Sequence, residues 1–542
     1  MQKQIVNFSR ALSCLALVAL LILFAPTATA DVFLPRTGQT FDNLEALRIA
    51  RNASNQLILQ SGDTIVLNGD DNSLTAPFGT HDLKFQGTGK ISPSPGAAIR
   101  LFHQGASNFT FNSDSLEFSG FTNNTGHGGM FHGNGSGTIS GGINTFTGNT
   151  TRDDGGVFVI NGTIYISGGT NTFSANSAGT HGGALSGTIN ISGGTNTFSG
   201  NTAAGSGGAM VASGRPVSIT GGTNTFTDNQ ARSAGGAICV DSTLLLRASN
   251  GDFMFQGNRD RVTNTSDPFS GKANAIYATN GNITLAARDG QNIYFYDPVT
   301  TGTASRTIGI NPLTHANSSN PDAGRVVFDG GYWYEKDSTR VQDRHSAVYG
   351  TTTVGYGTMV LNGSAIYGVH ATIGSFTLND WATLESGAGT NEIRANTITM
   401  NGTVDIASGG TLALSAGSGV AFNGNLNIGL GVDSFGFVDV IGTSTFGNGA
   451  TLGFYWDDDL TASESWKGEY VLSKFFSDNV SGFEDFTPDL SAFEQYDWVS
   501  ARWNPTTGVL TVEQSAVPEP ATLVVLGLGL AGLGWARRRK AR

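Results

Sequence analysis

Between Phe121 and Asn258 the chain repeats a phenylalanine with an asparagine three residues later, usually followed by a glycine pair. The six pairs are Phe121/Asn124, Phe146/Asn149, Phe173/Asn176, Phe198/Asn201, Phe226/Asn229 and Phe255/Asn258, at successive steps of 25, 27, 25, 28 and 29 residues. A period of this size belongs to solenoids, in which a single repeat cannot bury its own apolar face and must stack. Within one unit, Ile164 and Ile166 share a face by the two-residue strand period, as do Asn171 and Phe173. Gly168-Gly169 and Gly182-Gly183 mark corners. About 25 residues per turn accommodate three short strands, and equivalent strands of neighbouring turns then pair in parallel. The predicted fold is therefore all-β, a right-handed parallel β-helix with phenylalanines stacked inside at the strand spacing of about 4.8 Å. Each asparagine lies an odd number of residues beyond its phenylalanine, so the chain is expected to bend there. The asparagine is expected to take the left-handed conformation and to bond the same amide one turn away, forming a ladder.

Both ends have the composition of targeting segments. Lys3 and Arg10 precede an apolar run from Ala11 to Phe24, and Ala28 and Ala30 supply the small residues of a cleavage site, so residues 1–30 read as a signal peptide. Residues 31–120 read as an N-terminal cap and first coils. Thr40 caps a short helix from Phe41 to about Ala50 that shields an open sheet edge, and a strand at Asp63 to Leu67 follows. The regular repeats fill 121–280. Less regular coils fill 281–450, with Asn-Gly corners such as Asn362-Gly363 and Asn401-Gly402. The aromatic, acidic segment 451–516 reads as a C-terminal cap. In 517–542, Pro518, Glu519 and Pro520 lead into 16 apolar residues from Ala521 to Ala536, and then Arg537, Arg538, Arg539, Lys540 and Arg542. Those residues predict a transmembrane helix of about 24 Å, with the basic cluster held on the cytoplasmic side of the inner membrane.

Removing Lys3, Arg10 and the five basic residues of the tip from 30, and Glu519 from 42 acidic residues, leaves 23 against 41, a balance of −18. Such a body is a poor ligand for nucleic acid or anionic lipid. Cys14 leaves with the signal, so Cys239 stands alone and no intrachain disulfide is expected.

Acid–base cleavage needs at least two convergent groups. Asp153 and Asp154 fall nearly three coils from Asp228 and in a different part of the repeat, which argues for solvated turns. His127 and His181 precede glycine pairs two turns apart, about 10 Å at the strand spacing. One zinc ion, with ligands about 2 Å away, does not bridge them. No metal or other cofactor is predicted. The surface pattern that stands out is a set of Thr-x-Thr pairs, Thr170/Thr172, Thr195/Thr197 and Thr223/Thr225, which face outward if Phe173 and its equivalents face inward. Rows of this kind one coil apart make a flat array of hydroxyls and methyls suited to ice or a flat glycan, although threonine is also an ordinary exposed strand residue.

The order Pro-Glu-Pro, apolar helix, arginine-rich tip resembles the PEP-CTERM sorting signal of Gram-negative bacteria. That resemblance implies a temporary membrane anchor and an exosortase-type processing enzyme as partner. The motifs Gly182-Gly183-Ala184-Leu185, Gly207-Gly208-Ala209-Met210 and Gly235-Gly236-Ala237-Ile238, alternating with the phenylalanine/asparagine tetrads, resemble the polymorphic membrane proteins of chlamydiae. The likeness extends through Arg325-Val326-Val327-Phe328-Asp329-Gly330 and covers about residues 120–440. It implies a surface adhesin with a β-helical passenger. The family's C-terminal autotransporter barrel has its place taken here by the sorting helix, so the export route differs. The leading expectation is a non-catalytic, surface-exposed or secreted rod for adhesion or an extracellular matrix, with extracellular polysaccharide or cell surfaces as partners. The alternatives are a polysaccharide lyase or hydrolase with its site in the less regular coils, or ice or glycan binding through the threonine rows.

Overall fold

The computed structural model describes residues 56–67, 83–93, 102–104, 108–263, 271–302, 306–312, 321–369, 374–431, 434–447, 449–456, 468–471, 475–477, 488–494, 499–504 and 509–514. The expected signal peptide, the capping helix from Phe41, Asp457 to Asp459 and the C-terminal apolar helix all lie outside these residues. Among the described residues no helix is long and apolar enough to cross a membrane. The strand expected at Asp63 to Leu67 forms the second half of Gln56–Leu67.

The described chain is all-β and is dominated by one long parallel sheet, an arrangement consistent with a parallel β-helix. One turn passes through Leu185–Ile191, Thr195–Ser199 and Thr202–Ala203 before the next begins at Met210–Ala212. The first half of Leu185–Ile191 pairs with Met210–Ala212 and the second half with Val217–Ile219. Thr195–Ser199 lies between Thr170–Ser174 and Thr223–Thr227, residue for residue. The two-residue strand Thr202–Ala203 pairs in the same way with its neighbours one turn before and after. The regular turns thus carry a fourth, very short track beyond the three expected. Two residues are too few to show an alternation in sequence, so this track has no periodic signal.

Inside the coil the phenylalanines form a column. The rings of Phe146, Phe173, Phe198, Phe226 and Phe255 follow one another at centroid distances of 4.8, 4.7, 4.9 and 4.7 Å, nearly parallel at 17°, 3°, 8° and 2°. Carbon atoms in contact lie about 3.5–4.0 Å apart, so parallel rings at the strand spacing must be laterally displaced, which is the favoured stacking geometry. The column continues to Phe295 and Phe328.

The first expected pair is out of phase. Leu116 and Phe118 align with Asn144 and Phe146, and the Phe118 ring stacks on Phe146 at 5.6 Å. Thr122 pairs with Thr150, which puts Phe121 opposite Asn149, and Phe121 N–H donates to Asn149 Oδ1 at 3.1 Å. Asn124 is exposed. Register here follows which side chains share the interior, and Phe118, not Phe121, fills the ring position.

The glycine pairs do two different jobs. Gly182 has φ +65°, which other residues rarely adopt, whereas a Cβ on Gly183 would sit 2.0 Å from the Gly208 carbonyl oxygen of the next turn. The same close approach recurs one turn on, from Gly208 to Gly236. Gly183→Ala is therefore expected to push adjacent turns apart and to lower the melting temperature by several degrees. An alanine at the exposed Gly214, φ +66° with open space around it, separates the two causes, since only backbone strain acts there.

Near the C-terminal end, Thr451–Trp456 still pairs in parallel with Asn425–Leu430. Gly468–Val471, Val499–Asn504 and Val509–Gln514 instead form an antiparallel three-stranded sheet. The rings of Phe475 and Phe493 lie against Phe454, and Phe493 also meets Trp456 edge-on at 5.6 Å.

Candidate functional site

The repeat asparagines face inward and are spent on structure. Asn149, Asn176, Asn201, Asn229 and Asn258 are fully buried. The Nδ2 of each of the first four donates to the next turn's Oδ1 at 3.0, 2.9, 2.9 and 2.8 Å. Each Oδ1 from Asn176 onward also accepts the backbone N–H of the asparagine one turn before, as Asn201 does from Asn176 at 3.1 Å. The left-handed conformation falls one residue earlier than expected, at Gly148, Ala175, Gly200, Asp228 and Gly257. That reversal breaks the strand alternation, so a residue three places after an inward phenylalanine still points inward.

A second ladder joins Asn144, Asn171, Asn196 and Asn224 at 2.9, 2.8 and 3.0 Å. Its amides also donate to the glycine carbonyls three residues back, such as Asn171 to Gly168 at 2.9 Å, which ties the Thr-Asn-Thr-Phe strand to its own corner. The sequence shows this set as an asparagine two residues before each phenylalanine, on the same strand face.

Because every amide in the first ladder donates in one direction, its last member, Asn258, needs an acceptor beyond it. Asp297 fills that place. It is fully buried and accepts from Gly257 N–H at 2.9 Å, Asn258 N–H at 2.8 Å, Asn258 Nδ2 at 2.7 Å and Trp333 Nε1 at 2.8 Å. Burial pushes its carboxyl up to about 6, against the downward pull of these four donors. The folded protein therefore holds the proton more tightly than the unfolded chain between about pH 4 and 6. This contribution is full below about pH 4 and is lost as pH rises through 6. The unfolding free energy from urea titrations across that window should fall for the natural chain by on the order of 2 kcal/mol more than for Asp297→Asn. At pH 7 the same substitution should cost about 1–3 kcal/mol, because its amide turns a donor toward N–H groups.

What remains for function is the outside. Thr170, Thr195 and Thr223 align in one row, and Thr172, Thr197 and Thr225 in the next. The first row is exposed and the second half-buried between its neighbours. Ser174, Ser199 and Thr227 add a third outward row in the same register. One turn earlier Thr145 extends the second row, while the exposed Ile143 interrupts the first.

The histidines sit on another side, with Asp154 as a neighbour. Asp154 is one turn from His127 and one turn from His181, and its carboxylate lies 3.3 Å from His127 Nδ1 and accepts His181 N–H at 3.0 Å. His181 Nδ1 accepts Ser206 N–H at 3.0 Å. These residues line an open groove of about 430 Å³ with His132, Asn161 and Arg215. Among the described residues no three histidine, cysteine or acidic side chains converge on a metal position. Asp228 takes the left-handed position before Asn229, in a different part of the turn from Asp154. The sorting residues Pro518, Glu519, Pro520, Arg537, Arg538 and Arg539, and the signal residues Ala28 and Ala30, lie outside the described residues.

Residues 516–540 match the PEP-CTERM protein-sorting motif, which implies processing by an exosortase-type enzyme. Part of the chain is homologous to chlamydial outer membrane proteins. It is 34% identical over 164 residues to probable outer membrane protein pmp8 of Chlamydia pneumoniae, covering 30% of this chain and 17% of the relative. Over 133 residues it is 32% identical to probable outer membrane protein pmp2, covering 24% and 15%, and over 89 residues 42% identical to pmp7, covering 16% and 9%, both of the same organism. The chain thus spans less than a fifth of the length of each of these relatives. No solved structure matches it.

Proposed function

We propose that the protein is a non-catalytic, right-handed β-helical rod that is exported, held at the inner membrane by its tail until an exosortase-type enzyme processes it, and then displayed on the cell surface or released as an adhesin or matrix component. The observation that carries this reading is the outward threonine face. Three turns repeat Thr-Asn-Thr-Phe-Ser or Thr-Asn-Thr-Phe-Thr in strict register, so a rigid laddered interior holds a flat polar surface whose spacing does not vary. Such a surface is preorganised, so little ordering entropy opposes binding to another repetitive surface. The sorting motif and the outer membrane relatives support the destination.

Binding of the purified full chain, kept in mild detergent, to cells and to extracellular polysaccharide tests the reading. Thr170→Gln combined with Thr195→Gln and Thr223→Gln, all in the exposed row, roughens the face without touching the interior and without stacking like charges. It is expected to reduce retention on those surfaces by about tenfold or more while the thermal melt moves little. Retention that is absent in the natural chain, or unchanged in the triple variant, rejects the role assigned to this face.

A further inference from the structure

The outward row that carries Thr172, Thr197 and Thr225 continues along the chain, in unbroken pairing, through Met254, Tyr294, Val327 and Val360 to Glu385, Asp405, Asn427 and Gly453. At that far end the polar face is no longer flat. Val360, Glu385, Asp405, Asn427, Tyr455 and Asp489 line an open groove of about 470 Å³. From Val360 to Asp489 it crosses six successive turns, so it runs along the coil axis for on the order of 24 Å.

Its floor is a set of oxygen acceptors held in place. Arg325 grips both oxygens of Glu385, at 2.6 and 2.5 Å, which fixes that carboxylate without filling the groove. One turn on, Asp405 Oδ1 accepts from Asn427 Nδ2 at 2.7 Å, leaving its second oxygen for a ligand. Burial raises the Asp405 carboxyl above the ordinary range, and the nearby Glu385 charge adds to this. Asp489 stands exposed at the rim, its carboxyl held below the ordinary range by hydrogen bonds from Ser491. The groove therefore carries three carboxylates, amide and hydroxyl groups and the Tyr455 ring, with Arg325 as the balancing cation behind Glu385.

We propose that this groove is a binding site for a glycan strand bearing free amino groups, laid along the coil axis. Glu385 and Asp405 lie one strand spacing apart, about 4.8 Å, and Asp489 three spacings beyond Asp405, intervals that a sugar chain of similar unit length can meet. Ammonium groups complement the acidic row, sugar hydroxyls meet Asn427 and Ser491, and Tyr455 offers its ring to a sugar face. A polyuronate is repelled by the same row. The site rests on the rod reading only for access to extracellular glycan.

Titration calorimetry of the full chain with glucosamine oligomers at pH 6.5, against N-acetylglucosamine and uronate oligomers of equal length, tests it. The free-amine oligomer is expected to bind about tenfold tighter than the acetylated one, to weaken as salt rises, and the uronate to give no heat. Asp405→Asn should lose about tenfold. Asp489→Lys should lose as much; because the Asp489 carboxylate also accepts the Ser491 N–H, a small drop in the melt accompanies it, and Asp489→Asn, which keeps an acceptor for that N–H, separates the two effects. Equal affinity for the amine and acetylated oligomers, no binding, affinity untouched by Asp489→Lys, or release of new reducing ends each overturns the proposal. Adhesion that survives Asp489→Lys but not the threonine-face variant leaves the rod reading standing without the groove. The reverse pattern leaves the groove without the adhesive face.

Discussion

Asn201→Leu is expected to destabilise the regular turns by on the order of 3–5 kcal/mol, although leucine nearly matches the lost side-chain volume. Asn201 makes four buried hydrogen bonds. Its Oδ1 accepts Asn176 N–H at 3.1 Å and Asn176 Nδ2 at 2.9 Å, and its Nδ2 donates to Phe173 O and Asn229 Oδ1, both at 2.9 Å. Leucine leaves the Asn176 N–H and one hydrogen of Asn176 Nδ2 without an acceptor in a dry interior, where each orphaned group costs about 1–3 kcal/mol, while Asn229 Oδ1 keeps the backbone N–H of residue 201. Because each turn contacts only its neighbours, the loss concentrates between the turns that carry Asn176 and Asn229. Hydrogen exchange should therefore show the Asn176 amide losing protection at least as far as the melting curve shifts, while amides near Leu384 keep theirs. Uniform protection along the chain, with an unchanged melt, would contradict the ladder as an energetic element.

Phe198→Ala should cost about 3–5 kcal/mol by a different mechanism. The Phe198 ring has parallel neighbours on both sides, at 4.7 Å from Phe173 and 4.9 Å from Phe226, and it is fully buried. Truncation opens a hole that the backbone cannot close, since the turns above and below are pinned by both asparagine ladders and by the Gly183 and Gly208 contacts. Phe198→Leu fills most of the space and should cost about 1–2 kcal/mol. Thermal or urea unfolding of the pair measures the difference. A small effect from alanine would mean that the column collapses readily, and the rigidity argued for the threonine face would fall with it.

These two residues also show how much could be read from the chain alone. Phe198 and Asn201 recur with a fixed offset, so their stacking and amide pairing were legible. The way Asn201 reaches the interior was not. It depends on the left-handed φ of 61° at Gly200, and the equivalent residue is Ala175 or Asp228 in other turns, so no residue type marks it. Phe121 misled for a related reason. It carries the motif with Asn124, yet pairing across turns selects Phe118 for the column.

The candidate sites divide in the same way. Thr170 to Thr225 were visible as an outward face because strand alternation is a local property. The groove at Glu385 and Asp405 was invisible, because the coils there shorten to steps of 20 and 22 residues between paired positions and no motif repeats. The grouping of Asp154 with His127 and His181 has no local signal, since only the winding puts it between them.

The sequence by itself determined the period, the inward ring, the pairing of amides between turns, the outward threonines and the acidic body, because each follows from alternation, recurrence or composition along the chain. Only the tertiary structure decided the phase of the first turn, the fourth short track, the aspartate that ends the ladder and the acidic groove. Those depend on which residues meet between turns, and contacts across 20 to 40 residues are set by the pairing register, which no local pattern encodes.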